Sequence, residues 1–135
     1  MKKPEALICD SDRQAILLCE RALIQSGYEV QIAGCGMTAI ACIRAQRPDV
    51  VIVGENLQWG GIETVLESIE DLETDAEDGK YSPHVLAMGA RSAHQLSLEF
   101  GLPLKQCLEK PLARWNVMNA VSWAVTRPAG ELARV

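Results

Sequence analysis

Pro48-Asp49-Val50-Val51-Ile52-Val53-Gly54-Glu55-Asn56-Leu57 is the stretch that decides the fold. Val50 to Val53 is an unbroken β-branched run with no polar alternation, the pattern of a strand covered on both faces and so of a parallel sheet with helices on each side. Upstream, the apolar run Ala6-Leu7-Ile8-Cys9 ends in Asp10-Ser11-Asp12, and Ala15, Leu18, Ala22 and Leu23 recur with helical spacing until Ser26-Gly27. Tyr28-Glu29-Val30-Gln31-Ile32 alternates like a strand near a sheet edge. Gly34-Cys35-Gly36 turns the chain, and Ala39, Ile40, Cys42 and Ile43 mark a second helix ended by Arg47-Pro48. Downstream, Ile62, Val65, Leu66, Ile69 and Leu72 outline a third helix, and His84-Val85-Leu86-Ala87-Met88 a fourth strand. A weaker helix from Ser92 to Phe100 closes at Gly101, Gln106-Cys107-Leu108-Glu109 forms a short fifth strand, and a last helix runs from Ala113 to Thr126 until Pro128. Such alternation predicts an α/β fold, a three-layer sandwich with a five-stranded parallel sheet and right-handed crossovers.

With 135 residues, 48% of them hydrophobic and 23% charged, the chain suits one compact domain, expected over residues 1–127 with a flexible tail at 128–135. The net charge of −5, with Lys and Arg scattered, argues against a direct grip on nucleic acid. No apolar run has the length of a signal peptide core or a membrane span, so a cytoplasmic protein without membrane contact is expected. Cys9, Cys19, Cys35, Cys42 and Cys107 include no Cys-x-x-Cys pair and read as reduced core thiols with structural roles. Glu63, Glu67, Glu70, Asp71, Glu73, Asp75, Glu77 and Asp78 follow one another without an intervening Lys or Arg, as in a solvated helix end and loop, or an acidic docking surface. His84 belongs to a strand start and His94 to a helix surface, neither with a companion for general-base work.

Ligands of an open parallel sheet collect at the carboxyl ends of its strands. That rim holds Asp10, Ser11 and Asp12, then Gly54 and Glu55, then Gly89-Ala90, then Lys110. Ala6-Leu7-Ile8-Cys9-Asp10, Gly27-Tyr28-Glu29-Val30, Arg47-Pro48-Asp49-Val50-Val51 and Leu108-Glu109-Lys110-Pro111, in this order and spacing, resemble the receiver domain of bacterial two-component response regulators over nearly all of residues 5 to 126. The resemblance implies a flavodoxin-like (CheY-like) sheet of order 2-1-3-4-5 and a place in phosphorelay-type signal transduction.

Such domains accept a phosphoryl group on an Asp beside a magnesium ion, and a hydroxyl residue and an aromatic residue then remodel the face of the fourth helix, fifth strand and fifth helix. Carried over, the acceptor falls on Gly54, the acidic pair on Asp10 and Ser11, the hydroxyl residue on Gly89, the aromatic on Cys107 and the lysine on Lys110. Glycine offers no oxygen to attack phosphorus, and Mg²⁺ relies on hard carboxylate oxygens of which two are missing. A degenerate, non-enzymatic form is therefore expected, with no cofactor and no metal. Losing the acceptor also relieves a repulsion of about 3 kcal/mol between two carboxylates about 5 Å apart at an effective dielectric of about 20. Lys110 should turn to Asp10 instead, Asp12 should cap the first helix, and Lys110-Pro111 resembles a bond that is commonly cis in the family.

Glu55 as a substitute acceptor is the alternative, but successive strand side chains point to opposite faces, which aims Glu55 away from the spot above residue 54. A small-ligand module using Gly34-Cys35-Gly36 is a further alternative, weakened by the missing third glycine. With Val117, Ala120, Val121 and Ala124 turned inward, Trp115, Met118 and Trp123 lie off the centre of the last helix's core face and are candidates for a partner or homodimer surface. The expected partner is a protein: a histidine kinase, another regulator or an output protein.

Overall fold

The computed structural model describes residues 2–75 and 81–126. Strands β1 (Glu5–Cys9), β2 (Glu29–Ala33), β3 (Val50–Gly54), β4 (His84–Gly89) and β5 (Cys107–Glu109) alternate with helices α1 (Arg13–Gln25), α2 (Gly36–Gln46), α3 (Ile62–Asp75), α4 (Ala93–Phe100) and α5 (Arg114–Thr126). All ladders are parallel and the order is β2-β1-β3-β4-β5, which gives the sandwich expected from the sequence pattern and the strand order that the resemblance implies. β3 lies at the centre and every one of its residues is buried, which is what its unbroken apolar run demands.

The pleat divides the core in two. Ala6, Ile8, Val50, Ile52, Leu86, Met88 and Leu108 face α1 and α5, where they meet Ala15, Cys19, Ala22, Leu23, Val117, Ala120, Val121 and Ala124. Leu7, Cys9, Val51, Val53, Val85 and Ala87 face α2 and α3, against Ala39, Ile43, Ile62, Val65 and Ile69. The inward stripe read for α5 is the observed one. In α1 it is displaced slightly, with Cys19 fully buried and Leu18 only half-buried.

Helix ends follow local chemistry. Asp12 caps α1, its Oδ1 accepting from the N–H groups of Gln14 at 3.1 Å and Ala15 at 3.4 Å. Ser92 and Gln95 form a reciprocal capping box on α4, which ends on Gly101 at φ 69°. β5 is shorter than expected because Gln106 closes a 3-10 turn over Leu104–Gln106, while its side-chain Nε2 donates to the Val85 carbonyl at 2.6 Å and so replaces a strand bond. α3 runs three residues past Leu72, since Glu73, Thr74 and Asp75 carry no helix breaker. Glu77 and Asp78 of the acidic run, and the expected tail at 128–135, lie outside the described residues.

The thiols need a correction. Cys9, Cys19 and Cys107 are buried, but Cys35 and Cys42 are only half-buried, and Cys35 starts α2 with its Sγ 3.3 Å from the Thr38 hydroxyl. That contact lowers the Cys35 pKa, whereas burial raises that of Cys19 to about 12 and that of Cys107 to about 11.

Gly36 shows why the Gly34-Cys35-Gly36 turn is not an open cradle. Its N–H donates to the Gln58 carbonyl at 2.7 Å, and a Cβ on it would overlap the Trp59 carbonyl and stand 3.2 Å from the Gly60 Cα. Backbone rather than a movable side chain fills that space. Gly36→Ala is therefore expected to destabilise the fold by about 1–3 kcal/mol, the usual cost of overpacking, measured by denaturant unfolding.

Candidate functional site

The ladders continue past the strand ends and place the rim side by side. Asp10 N–H donates to Ala33 O at 3.2 Å, Glu55 N–H to Met88 O at 3.0 Å and Lys110 N–H to Gly89 O at 2.7 Å. One step beyond the last β1–β3 pair, Cys9 with Val53, Asp10 comes to lie beside Gly54. One step beyond the β3–β4 pair of Gly54 with Met88, Glu55 comes to lie beside Gly89.

Asp10 is fully buried, and its carboxylate is satisfied on every side. Oδ1 accepts from the N–H groups of Ser11 at 2.7 Å and Asp12 at 3.1 Å, while Oδ2 accepts from Lys110 Nζ at 2.9 Å. The pair expected from the sequence is thus formed directly. Lys110, 11% exposed, also reaches Asp12 Oδ2 at 3.1 Å, so Asp12 is both helix cap and ion-pair partner. Burial alone would lower the Lys110 pKa, but the hydrogen bonds it donates to Asp10 and Asp12 outweigh it and hold the ammonium above its usual range. The same lysine, with the α1 backbone N–H groups, holds Asp12 below the usual carboxylate range. The Lys110-Pro111 bond is cis.

A second cluster lies on the other side of the sheet. The Glu55 carboxylate extends over Gly89 and takes Arg91 Nε at 2.5 Å; Arg91 Nη1 also pairs with Glu99, and its guanidinium stacks 5.7 Å from the Phe100 ring centroid. Arg91 draws the Glu99 pKa down. Nothing in the sequence spacing links residues 55, 91 and 99. They meet only because β3 and β4 are neighbours in register and the Ser92 cap starts α4 immediately afterwards. Glu55 thus turns away from the space above Gly54, as strand alternation requires.

The remaining rim positions have structural partners. The Ser11 hydroxyl donates to the Asn56 carbonyl at 2.8 Å, and buried Cys107 donates to the Pro103 carbonyl at 3.6 Å. Asp49 belongs to the opposite end of β3, where its Oδ2 accepts the Glu5 N–H at 2.8 Å. Of the three candidates on α5, only Trp115 stands out, 65% exposed. Met118 and Trp123 are half-buried against the α1–α5 core, with Lys105 Nζ 5.9 Å from the Trp123 ring centroid, which corrects the view of both as surface residues.

The donor set does not fit a magnesium ion. Mg²⁺ requires several oxygen ligands in near-octahedral array. Both Asp10 oxygens are engaged, and an ammonium already stands between Asp10 and Asp12. No group of three or more His, Cys, Asp or Glu side chains able to hold a metal occurs among the described residues.

No known family's sequence profile matches the chain, and no curated protein matches it in sequence. Its solved structural neighbours include receiver domains of response regulators and of a sensor histidine kinase. The signal receiver domain of a Luxo repressor protein from Vibrio parahaemolyticus superposes with TM-score 0.77 at 18% identity, covering 99% of each chain. The signal receiver domain of the response regulator NarL from Mycobacterium tuberculosis gives 0.72 at 19% identity over 94% of this chain and all of its own. The receiver domain of a sensor histidine kinase from Pseudomonas aeruginosa, with a magnesium ion coordinated in its active site cleft, gives 0.71 at 21% identity over 93% of this chain and 100% of its own. At these identities the likeness establishes the fold.

Lys110→Ala strands a buried carboxylate and is expected to cost about 3–5 kcal/mol at neutral pH. Asp12's depressed pKa contributes stability that is present above about pH 4 and lost as pH falls through its lowered value; Lys110's raised pKa contributes stability present below about pH 10.4 and lost as pH rises through its raised value. The difference in unfolding free energy between wild type and Lys110→Ala should be level from about pH 5 to 9 and narrow on both sides, by urea unfolding at fixed pH.

Proposed function

We propose that the chain is a receiver-type module of two-component signal transduction that acts through protein–protein contact and carries no phosphoryl group at position 54. One observation carries this reading: the residue at the acceptor position is Gly54, with the Lys110-paired Asp10 carboxylate packed against it. Phosphoryl transfer needs an in-line nucleophile and a cation shared with the transferring oxygens. Here the nucleophile is missing and the lysine is consumed by Asp10 and Asp12. The positions of the hydroxyl and aromatic switch residues hold Gly89 and Cys107, neither of which can follow a phosphate and change state.

Glu55 does not supply the missing group, because its carboxylate is ion-paired to Arg91 over Gly89. The chain accordingly serves as a recognition element rather than an enzyme, with a histidine kinase, another regulator or an output protein as its partner in the cytoplasm. No helix among the described residues is long and apolar enough to cross a membrane. Trp115 at the start of α5 is the surface anchor.

Incubation of the wild-type protein with acetyl phosphate and Mg²⁺, followed by intact mass, is expected to give only the unmodified mass; an accumulating phosphorylated species would refute the reading. Trp115→Ala is expected to weaken partner binding by about 2 kcal/mol, roughly 30-fold, while leaving the thermal midpoint within a few degrees of wild type, by calorimetric titration against the captured partner.

A further inference from the structure

Gly54 and Gly89 hold the two rim positions where phosphoryl chemistry would require side chains, and neither is an empty place. A Cβ built on Gly54 would stand 2.5 Å from the Asp10 Cγ, and one on Gly89 would stand 2.4 Å from the Glu55 Cδ and 2.5 Å from its Cγ, with a carboxylate oxygen nearer still in each case. Carbon atoms make good contact at about 3.5–4.0 Å, so both positions are already filled. In each case the carboxylate comes from the adjoining strand, one residue beyond its last ladder pair. Parallel neighbours normally stand their side chains next to each other; beside a glycine, the longer one leans across.

We infer that the two glycines are packing requirements: Gly54 seats the Asp10 carboxylate, Gly89 seats that of Glu55, and Lys110 and Arg91 serve as built-in cations that close the rim to a divalent metal and to a restored acceptor. This deepens the proposed reading and rests on it only for the identity of the acceptor position. The seat at Gly54 is the stricter one. Clearing it means rotating Asp10, a short and fully buried side chain, away from two backbone N–H groups and from Lys110. Clearing the seat at Gly89 means moving a longer side chain whose partner Arg91 is itself partly exposed. The closure therefore has an order: substitution at 54 disturbs a buried ion pair, substitution at 89 a surface one.

A thermal double-mutant cycle tests the stricter seat. Gly54 does not have a left-handed φ, so alanine there would otherwise be neutral or slightly stabilising. With the seat, Gly54→Ala should lower the thermal midpoint by at least about 5 °C, and in an Asp10→Ala background the same change should cost nothing. Equal cost in both backgrounds, or no cost in wild type, overturns the inference. Because Asp10→Ala strands Lys110 and could unfold the protein, Gly54→Asp supplies a second test with Mg²⁺ titration and intact mass after acetyl phosphate. The expected result is no saturable Mg²⁺ binding and no phosphorylated species, whereas either one overturns the inference. A failed cycle leaves the unphosphorylated reading of the wild type standing, and a phosphorylated wild type removes that reading without touching the cycle.

Discussion

A buried carboxylate must find a cation, and the fold is arranged so that Asp10 finds Lys110. The two residues are 100 positions apart and sit at the ends of β1 and β5, with β3 and β4 between them. Removing one member of a buried pair is far more costly than replacing both by apolar groups, so the contact constrains what either residue can become rather than adding much net stability. Asp12 extends the constraint: it shares the lysine while capping α1. The start of α1, the end of β5 and the turn into α5 are thereby tied to one ammonium.

The same contact sets the chemical character of the rim. A site that collects carboxylates without an internal cation holds a standing repulsion, which a bound divalent ion can offset. The Pseudomonas receiver domain coordinates magnesium in its cleft. Here the repulsion is offset in part from within, by Lys110 between Asp10 and Asp12 toward α1 and α5 and by Arg91 between Glu55 and Glu99 toward α3 and α4. Away from the rim, Trp115 at the start of α5 stands exposed.

Much of this was legible in the sequence, for identifiable reasons. The β-branched run at Val50 to Val53 fixed a doubly covered central strand, and helix spacing in α5 identified Val117, Ala120, Val121 and Ala124 as its inward face. The Asp10–Lys110 pair followed from the resemblance, which leaves Lys110 without an acceptor at position 54 and Asp10 as its nearest carboxylate. Illegible were the features that depend on lateral register. Glycine reads as an absence in a sequence, and only β1 placed beside β3 shows a neighbour's carboxylate occupying the space at Gly54. The Glu55–Arg91–Glu99 cluster was hidden for the same reason. Met118 and Trp123 looked peripheral on a helical projection, but their long side chains reach back to the core, as amphipathic and aromatic groups do.

The closing of the rim by its own cations is most directly tested by a magnesium titration followed in amide ¹H–¹⁵N spectra of the wild-type protein. The account predicts that the amides of Ser11, Asp12, Glu55 and Lys110 keep their positions through millimolar Mg²⁺, apart from the uniform drift that ionic strength causes. Saturable shifts confined to those amides would contradict it, since they would mean that the ion displaces Lys110 from Asp10.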